Sequence, residues 1–158
     1  MQSHRMNITV RQATIDDLPV LQQFEQGVIA AERPFDGTLQ DDPTQYYDLE
    51  MMLFAAHIYL VVAELDGQPI GSGYARIEDA KPFVKHSQHA YLGFIYTLPE
   101  HRGKGVNEKI ITALRNWSRS KGITEMELDV YYDNAPAIRA YEKTGFVKRM
   151  IRMRAPIN

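Results

Sequence analysis

Cysteine is absent from the 158 residues, which excludes a disulfide framework, a thiolate metal site and a cysteine nucleophile. No polybasic block occurs and the formal net charge is only -2, so the footprint of a general nucleic-acid or membrane-surface binder is missing. The longest apolar run, Leu53 to Leu65, is broken by His57 and Glu64 and is too short to span a bilayer. The opening Met1-Gln2-Ser3-His4-Arg5 is polar and unlike the apolar segment of a secretory signal, so a cytoplasmic location is expected. Five histidines are present. His86 and His89 fall in a loop-like stretch and the others stand alone, so no metal site is expected. Without repeats, low-complexity tracts or an interdomain linker, residues 1–158 read as a single domain large enough to bury a core.

What is present is organised around Tyr91 to Ile111. Tyr91-Leu92-Gly93-Phe94-Ile95-Tyr96-Thr97-Leu98 is apolar or aromatic at nearly every position, the pattern of a central strand buried on both faces, and Pro99 ends it. Gly103 and Gly105 bracket Lys104 in a tight turn, after which Val106, Ile110, Ala113, Leu114 and Trp117 recur at helical spacing. A strand that runs through a glycine turn into a helix start suits a phosphate group. The first helical turn offers amides without intrahelical partners, the helix dipole is positive there, and glycine allows close approach. Arg102 and Lys104 add full charges.

Two familiar phosphate motifs do not fit. A P-loop needs glycine at position 98 and Ser or Thr at 105, where this chain has Leu98 and Gly105. At Gly71-Ser72-Gly73 a dinucleotide fingerprint would put its third glycine where Arg76 stands.

The remaining elements follow from periodicity and punctuation. Ile8 to Ala13 alternates as a strand, and Thr14 caps a helix with Asp16 and Asp17 in its first turn. Asp42-Pro43 resembles an N-cap and first helical residue, which predicts a second helix through Tyr46, Leu49 and Phe54. Ile58–Leu65 and Pro69–Ile77 form a hairpin about Asp66-Gly67. Ile123–Tyr131 is an expected strand, Asn134–Thr144 a helix with Gly145 as its C-cap, and Phe146–Arg154 a last strand or strand pair. This order gives an α/β fold with a mixed sheet and helices on both faces.

Pro99-Glu100-His101-Arg102-Gly103-Lys104-Gly105 closely resembles the coenzyme A pyrophosphate loop of the GNAT superfamily of N-acetyltransferases. Asn134 to Phe146, with Asn opening a helix, Tyr141 seven residues later and Gly145-Phe146 closing it, is similar to the same family's second signature. The resemblance implies a GNAT-like sheet splayed in the middle and an acetyl-CoA-dependent N-acetyltransferase that acts on a primary amine by direct attack in a ternary complex. By the same resemblance, backbone groups of Ile95, Tyr96 and Thr97 would face acetyl and pantetheine. Arg102 and the amides of Gly103, Lys104, Gly105, Val106, Asn107 and Glu108 would meet the pyrophosphate.

Tyr141 would protonate the leaving thiolate or hydrogen-bond the sulfur, although its spacing with Ile138 also suits a core tyrosine. Asn134 reads both as an N-cap and as a coenzyme contact. For the general base, Asp129 occupies a place where some members carry a carboxylate, with Glu78 and a water relay as rivals. The family usually has Gly or Ala where this chain has Asn107, whose amide is expected to add a hydrogen bond rather than crowd the phosphates. Acids and tyrosines between Glu32 and Tyr47 either cap and solubilise a loop or draw in a small cationic amine. An acyl-CoA-binding sensor on the same fold is the competing reading. The sequence leaves the acceptor and the oligomeric state, a homodimer included, open.

Overall fold

The structure is a computed structural model that describes residues 7–158, so the polar Met1–Arg5 stretch lies outside the described residues. Five strands form one mixed sheet in the order β1-β2-β3-β4-β5: Ile8–Gln12, Ile58–Leu65, Gln68–Asp79, Gln88–Thr97 and Met126–Glu127. The first four pair antiparallel, and β4 with β5 is parallel. At the β2–β3 hairpin, Asp66 and Gly67 both take positive φ, 51° and 79°. That is the backbone of a two-residue turn whose twist matches the strands.

Helices cover both faces. On one, α1 (Leu18–Glu32) and α2 (Leu49–Phe54) bury Leu21, Phe24, Val28, Leu49 and Met52 against Leu60, Val62, Tyr74 and Phe94. On the other, α3 (Val106–Ser120) buries Val106, Ile110, Ile111 and Leu114, each 2% exposed or less, against Val61, Ala63, Ala75 and Leu92. At about 1.5–3 kcal/mol per fully buried apolar side chain, that stripe supplies on the order of 10 kcal/mol towards fixing the helix on the sheet. Tyr141 of α4 (Ala135–Lys143) and Phe146 pack at the border of this second cluster.

The start of α1 is pinned electrostatically. The Asp17 carboxylate accepts from the Thr14 amide at 2.7 Å and from both terminal nitrogens of Arg11 at 2.7 and 2.8 Å, while Arg11 also pairs with Glu64 on β2. Arg11 therefore ties β1, β2 and the helix start together, and its bond to Asp17 holds that carboxyl below the usual carboxylate range.

Three expectations are corrected. The second helix begins at Leu49 with Asp48 as its cap rather than at Asp42-Pro43, and that peptide bond is cis. The Asp48 side chain accepts from the Met51 amide and caps the helix six residues downstream of Asp42. Strand β5 extends only over Met126–Glu127, short of Tyr131. Phe146–Arg154 forms no strand, because no neighbouring strand lies alongside it.

Candidate active site

The site begins with an irregularity in β4. Tyr74 pairs with Gly93 and Ser72 with Tyr96, so two steps on β3 face three on β4 and the central strand carries one extra residue. Phe94 absorbs the bulge at φ 56°, a left-handed conformation that a bulky L-residue adopts only when its surroundings impose it. Those surroundings are visible. Ser72, fully buried, donates its hydroxyl to the Phe94 carbonyl at 3.0 Å, which supplies the displaced carbonyl with a partner. Gly71 brings β3 so near that a Cβ there would stand 2.5 Å from the Tyr96 carbonyl oxygen.

On its other edge β4 pairs with β5 only at Ala90 and Tyr91. From Leu92 to Thr97 the sheet lacks a β5 partner among the described residues, so the two strands part and leave a wedge beside Ile95, Tyr96 and Thr97. The pairing is thus lost between β4 and β5, the last two strands in the order of the sheet.

The wedge leads to the glycine turn. A short helical turn over Pro99–His101 is followed by Gly103 and Gly105 at φ 77° and 81°, and Gly105 caps α3. A Cβ at either glycine would touch nothing, so the need for glycine here is conformational rather than steric. No side chain caps the start of α3, so its first amides keep no capping partner from within the chain. Arg102, Gly103, Lys104, Gly105 and Glu108 are exposed, Val106 is buried, and Asn107 is half-buried. Arg102 Nε donates to the Thr97 carbonyl at 3.3 Å. Asn107 Oδ1 accepts from the Thr97 hydroxyl at 2.6 Å, which fixes the side chain and leaves its amide NH2 as the remaining donor group.

Across the wedge, the Asn134 side chain caps α4 by accepting from the Ala137 amide at 3.4 Å. Tyr141 is half-buried, its ring 6.0 Å from that of Phe146. Burial, and secondarily the negative charge of Glu32, push its hydroxyl up to about 12. Asp129 is exposed and accepts from the Tyr91 hydroxyl at 3.0 Å. Its rival Glu78 is more engaged: one oxygen takes Arg76 Nε at 2.8 Å and the other stands 3.1 Å from His89 Nε2. Glu127 comes within 3.6 Å of the same nitrogen, and His86 joins them so that His86, His89 and Glu127 each place a ligand-type atom within 4.8 Å of the others. Only the pairing of β4 with β5 brings Glu127 to those histidines.

The acidic segment after α1 lies against Tyr131, on the chain that continues β5. Glu25, 2% exposed on α1, accepts from the backbone amides of Tyr46 and Tyr47 at 2.9 and 2.8 Å and holds this irregular stretch to the helix. Asp36 accepts from the Thr38 hydroxyl and amide and from the Tyr131 hydroxyl at 2.9 Å, which lowers its carboxyl to about 2. The Phe35 ring stacks on that of Tyr131 at 6.1 Å. Glu32, half-buried, has its carboxyl raised by burial. Sequence reading grouped Glu32 with loop acids and passed over Glu25 altogether. The signal for Glu25 was an acid between Phe24 and Val28 on the apolar stripe of α1.

A mixed α/β sheet carries a bulged central strand that leads into a glycine-capped helix. The Acetyltransferase (GNAT) family model matches residues 26–146, and the chain belongs to that family. The aminoglycoside N(6')-acetyltransferase type 1 of Salmonella typhimurium is 30% identical over 112 residues, 66% of this chain and 73% of that protein. The L-methionine sulfoximine/L-methionine sulfone acetyltransferase of Pseudomonas aeruginosa is 25% identical over 148 residues, 89% of this chain and 81% of that one. Among solved structures, the aminoglycoside N-acetyltransferase AAC(6')-Iy in complex with CoA is 25% identical with a TM-score of 0.71, covering 94% of this chain and 99% of its own. A mutant Bacillus halodurans protein reaches a TM-score of 0.83 at 18% identity, over 95% of this chain and 99% of its own, a likeness of fold alone. The protein is an acetyltransferase. No helix among the described residues is long and apolar enough to cross a membrane.

Proposed function

We propose that the protein transfers the acetyl group of acetyl-CoA to a primary amine on a small cationic acceptor, by direct attack within a ternary complex. One observation carries this reading: the second half of β4, paired with β3 but free on its β5 side, leads into the glycine-lined start of α3, which no side chain caps, so pantetheine and pyrophosphate would have adjoining binding surfaces. The amides from Gly103 to Glu108, with Arg102 and Lys104, would hold the pyrophosphate, and Asn107 would add its NH2. Backbone groups of Ile95, Tyr96 and Thr97 would line the thioester and polarise its carbonyl. Asn134 would contact the coenzyme while it caps α4.

The chemistry then follows from the charges. The acceptor arrives as an ammonium, and Asp129, directly or through water, takes one proton from it. The free amine nitrogen attacks the acetyl carbonyl carbon, the adduct's nitrogen loses its second proton to water, the carbon–sulfur bond breaks as the tetrahedral adduct collapses to the amide, and the thiolate takes a proton from Tyr141, which solvent then reprotonates. A hydroxyl held at about 12 keeps its proton at neutral pH, whereas a free thiol ionises at about 8.5, so the tyrosine is loaded as an acid whenever the thiolate forms. Glu32 and Asp36 on the acidic segment would supply negative charge for a cationic acceptor, in keeping with the aminoglycosides named in several relatives.

Calorimetry with acetyl-CoA and with CoA should give saturable heat, and free thiol should appear faster when polyamine or aminoglycoside acceptors are added. Absence of binding to either coenzyme form overturns the assignment. Binding without acetyl transfer to any member of an amine panel would favour the sensor.

A further inference from the structure

One histidine lies inside the sheet, and one of its ring nitrogens has no partner. Sequence reading leaves His86 and His89 together in a loop, but His89 falls on β4, faces Glu78 of β3 in the ladder and is only 8% exposed. Its Nε2 stands 3.1 Å from Glu78 Oε1 and 3.6 Å from Glu127 Oε2. Its Nδ1 is buried without a hydrogen-bond partner. An imidazole that donates Nε2–H to a carboxylate presents a bare lone pair at Nδ1, and a buried acceptor in that state costs stability unless something meets it. That tautomer, with a carboxylate behind the ring, is also the one that readies a histidine to hold a metal ion.

Two further ligand groups converge on it. His86, half-buried in the loop between β3 and β4, and Glu127, exposed on β5, each place a ligand-type atom within 4.8 Å of the other and of His89. Ligand atoms about 2.0–2.2 Å from a tetrahedral ion lie roughly 3.4 Å apart, so a closure of about an ångström by the loop histidine and the exposed glutamate completes the set. Glu78 is held in place behind His89 by Arg76, whose Nε donates to its other oxygen at 2.8 Å. Two imidazoles with one carboxylate suit an ion of the zinc class rather than Mg2+ or Ca2+, which prefer oxygen ligands throughout.

We propose that His86, His89 and Glu127 bind one divalent transition-metal ion of the zinc class, with Glu78 orienting His89 and water completing the coordination. The three ligands come from a loop, a central strand and the two-residue β5. The ion would therefore fasten together pieces that the β4–β5 ladder joins only at Ala90–Met126 and Tyr91–Glu127.

Tag-free protein stripped with a chelator and titrated with Zn2+ should give saturable heat at one ion per chain, and Co2+ should give a visible absorption band that Zn2+ displaces. His86→Ala and Glu127→Gln, at positions open to solvent, should weaken Zn2+ binding by about a hundredfold or more with an unchanged far-UV spectrum, and Glu78→Gln by about 10- to 100-fold. His57→Ala, at an exposed histidine outside the cluster, should leave it unchanged. Amide exchange over 125–129 should slow when Zn2+ is added. Absence of saturable binding by either ion, an affinity indifferent to His86→Ala and Glu127→Gln, or an equal loss in His57→Ala would each overturn the proposal. None of these readouts involves acetyl-CoA, so failure here is distinguishable from failure of the proposed reaction.

Discussion

The two halves of β4 are the same strand under different constraints. From Gln88 to Gly93 it is paired with β3 on one side and begins to pair with β5 on the other, as an interior strand of an ordinary sheet. From Phe94 to Thr97 it has gained a residue, lost β5, and taken a left-handed dihedral held in place by Ser72 and by the close approach of Gly71. Regular pairing gives stability but consumes every backbone donor and acceptor. The bulged half gives up pairing on one edge, and backbone groups left there become available to a ligand. The molecule keeps its rigid half to hold its open half in shape.

The largest expected effect comes from the chemistry placed at the open half. Tyr141→Phe should lower kcat by about 100-fold, roughly 2.7 kcal/mol, with acetyl-CoA affinity changed less than about twofold by calorimetry. Because the hydroxyl ionises at about 12, the wild-type rate should rise with pH as the acceptor amine loses its proton. It should show no falling limb from this tyrosine below about pH 11, since the acid is lost only as pH climbs through its own pKa. A falling limb near pH 9 that vanishes in the phenylalanine variant would contradict the raised value.

Next comes the boundary between the halves. Gly71→Ala places a methyl 2.5 Å from the Tyr96 carbonyl and should destabilise the fold by about 1–3 kcal/mol, with loss of coenzyme binding in the fraction that remains folded. Unchanged melting would show that the bulge is not held by this approach. At the glycine turn, Gly105→Ala meets no neighbour, so only the φ of 81° opposes it. The expected cost is about 1–2 kcal/mol, read as a five- to thirtyfold higher KM for acetyl-CoA at little change in kcat. Asn107→Gly tests the departure in the loop. Weaker acetyl-CoA binding is expected because a donor is lost, and clearly tighter binding would show that Asn107 crowds the phosphates.

The smallest effect lies away from β4, where β1 meets the start of α1. Asp17→Asn removes the anchor of Arg11 and should cost about 1 kcal/mol in urea denaturation near pH 7, since one partner is partly solvated. The native carboxyl titrates below its unfolded value. Its contribution is therefore fully present above about pH 4 and lost as pH falls through the lowered native pKa, so the variant's acid dependence should be flatter.

Local chemistry was legible wherever it settles structure by itself. The Asp66-Gly67 hairpin, the buried β4, the α3 stripe, the Asn134 cap and the glycine turn all follow from residue type and spacing, because sterics and hydrophobic period act over a few residues. The fold and the turn at the head of α3 were therefore readable early. Where several local solutions compete, reading failed. Asp42-Pro43 and Asp48 are both plausible helix starts, and burial of Leu49 and Met52 against the sheet selected the second. Val147 and its neighbours have the composition of a strand, but a strand exists only where another lies beside it.

The sequence alone thus determined which short segments bend, coil or extend, and that a glycine turn opens α3, because those outcomes depend on dihedral preferences and nearby side chains. Only the tertiary structure decided where β4 bulges and parts from β5, that Glu25 clamps the acidic segment, and that Tyr91 reaches Asp129. Each of these depends on groups far apart in the chain meeting in space, and their distances are set by the packing of the whole sheet.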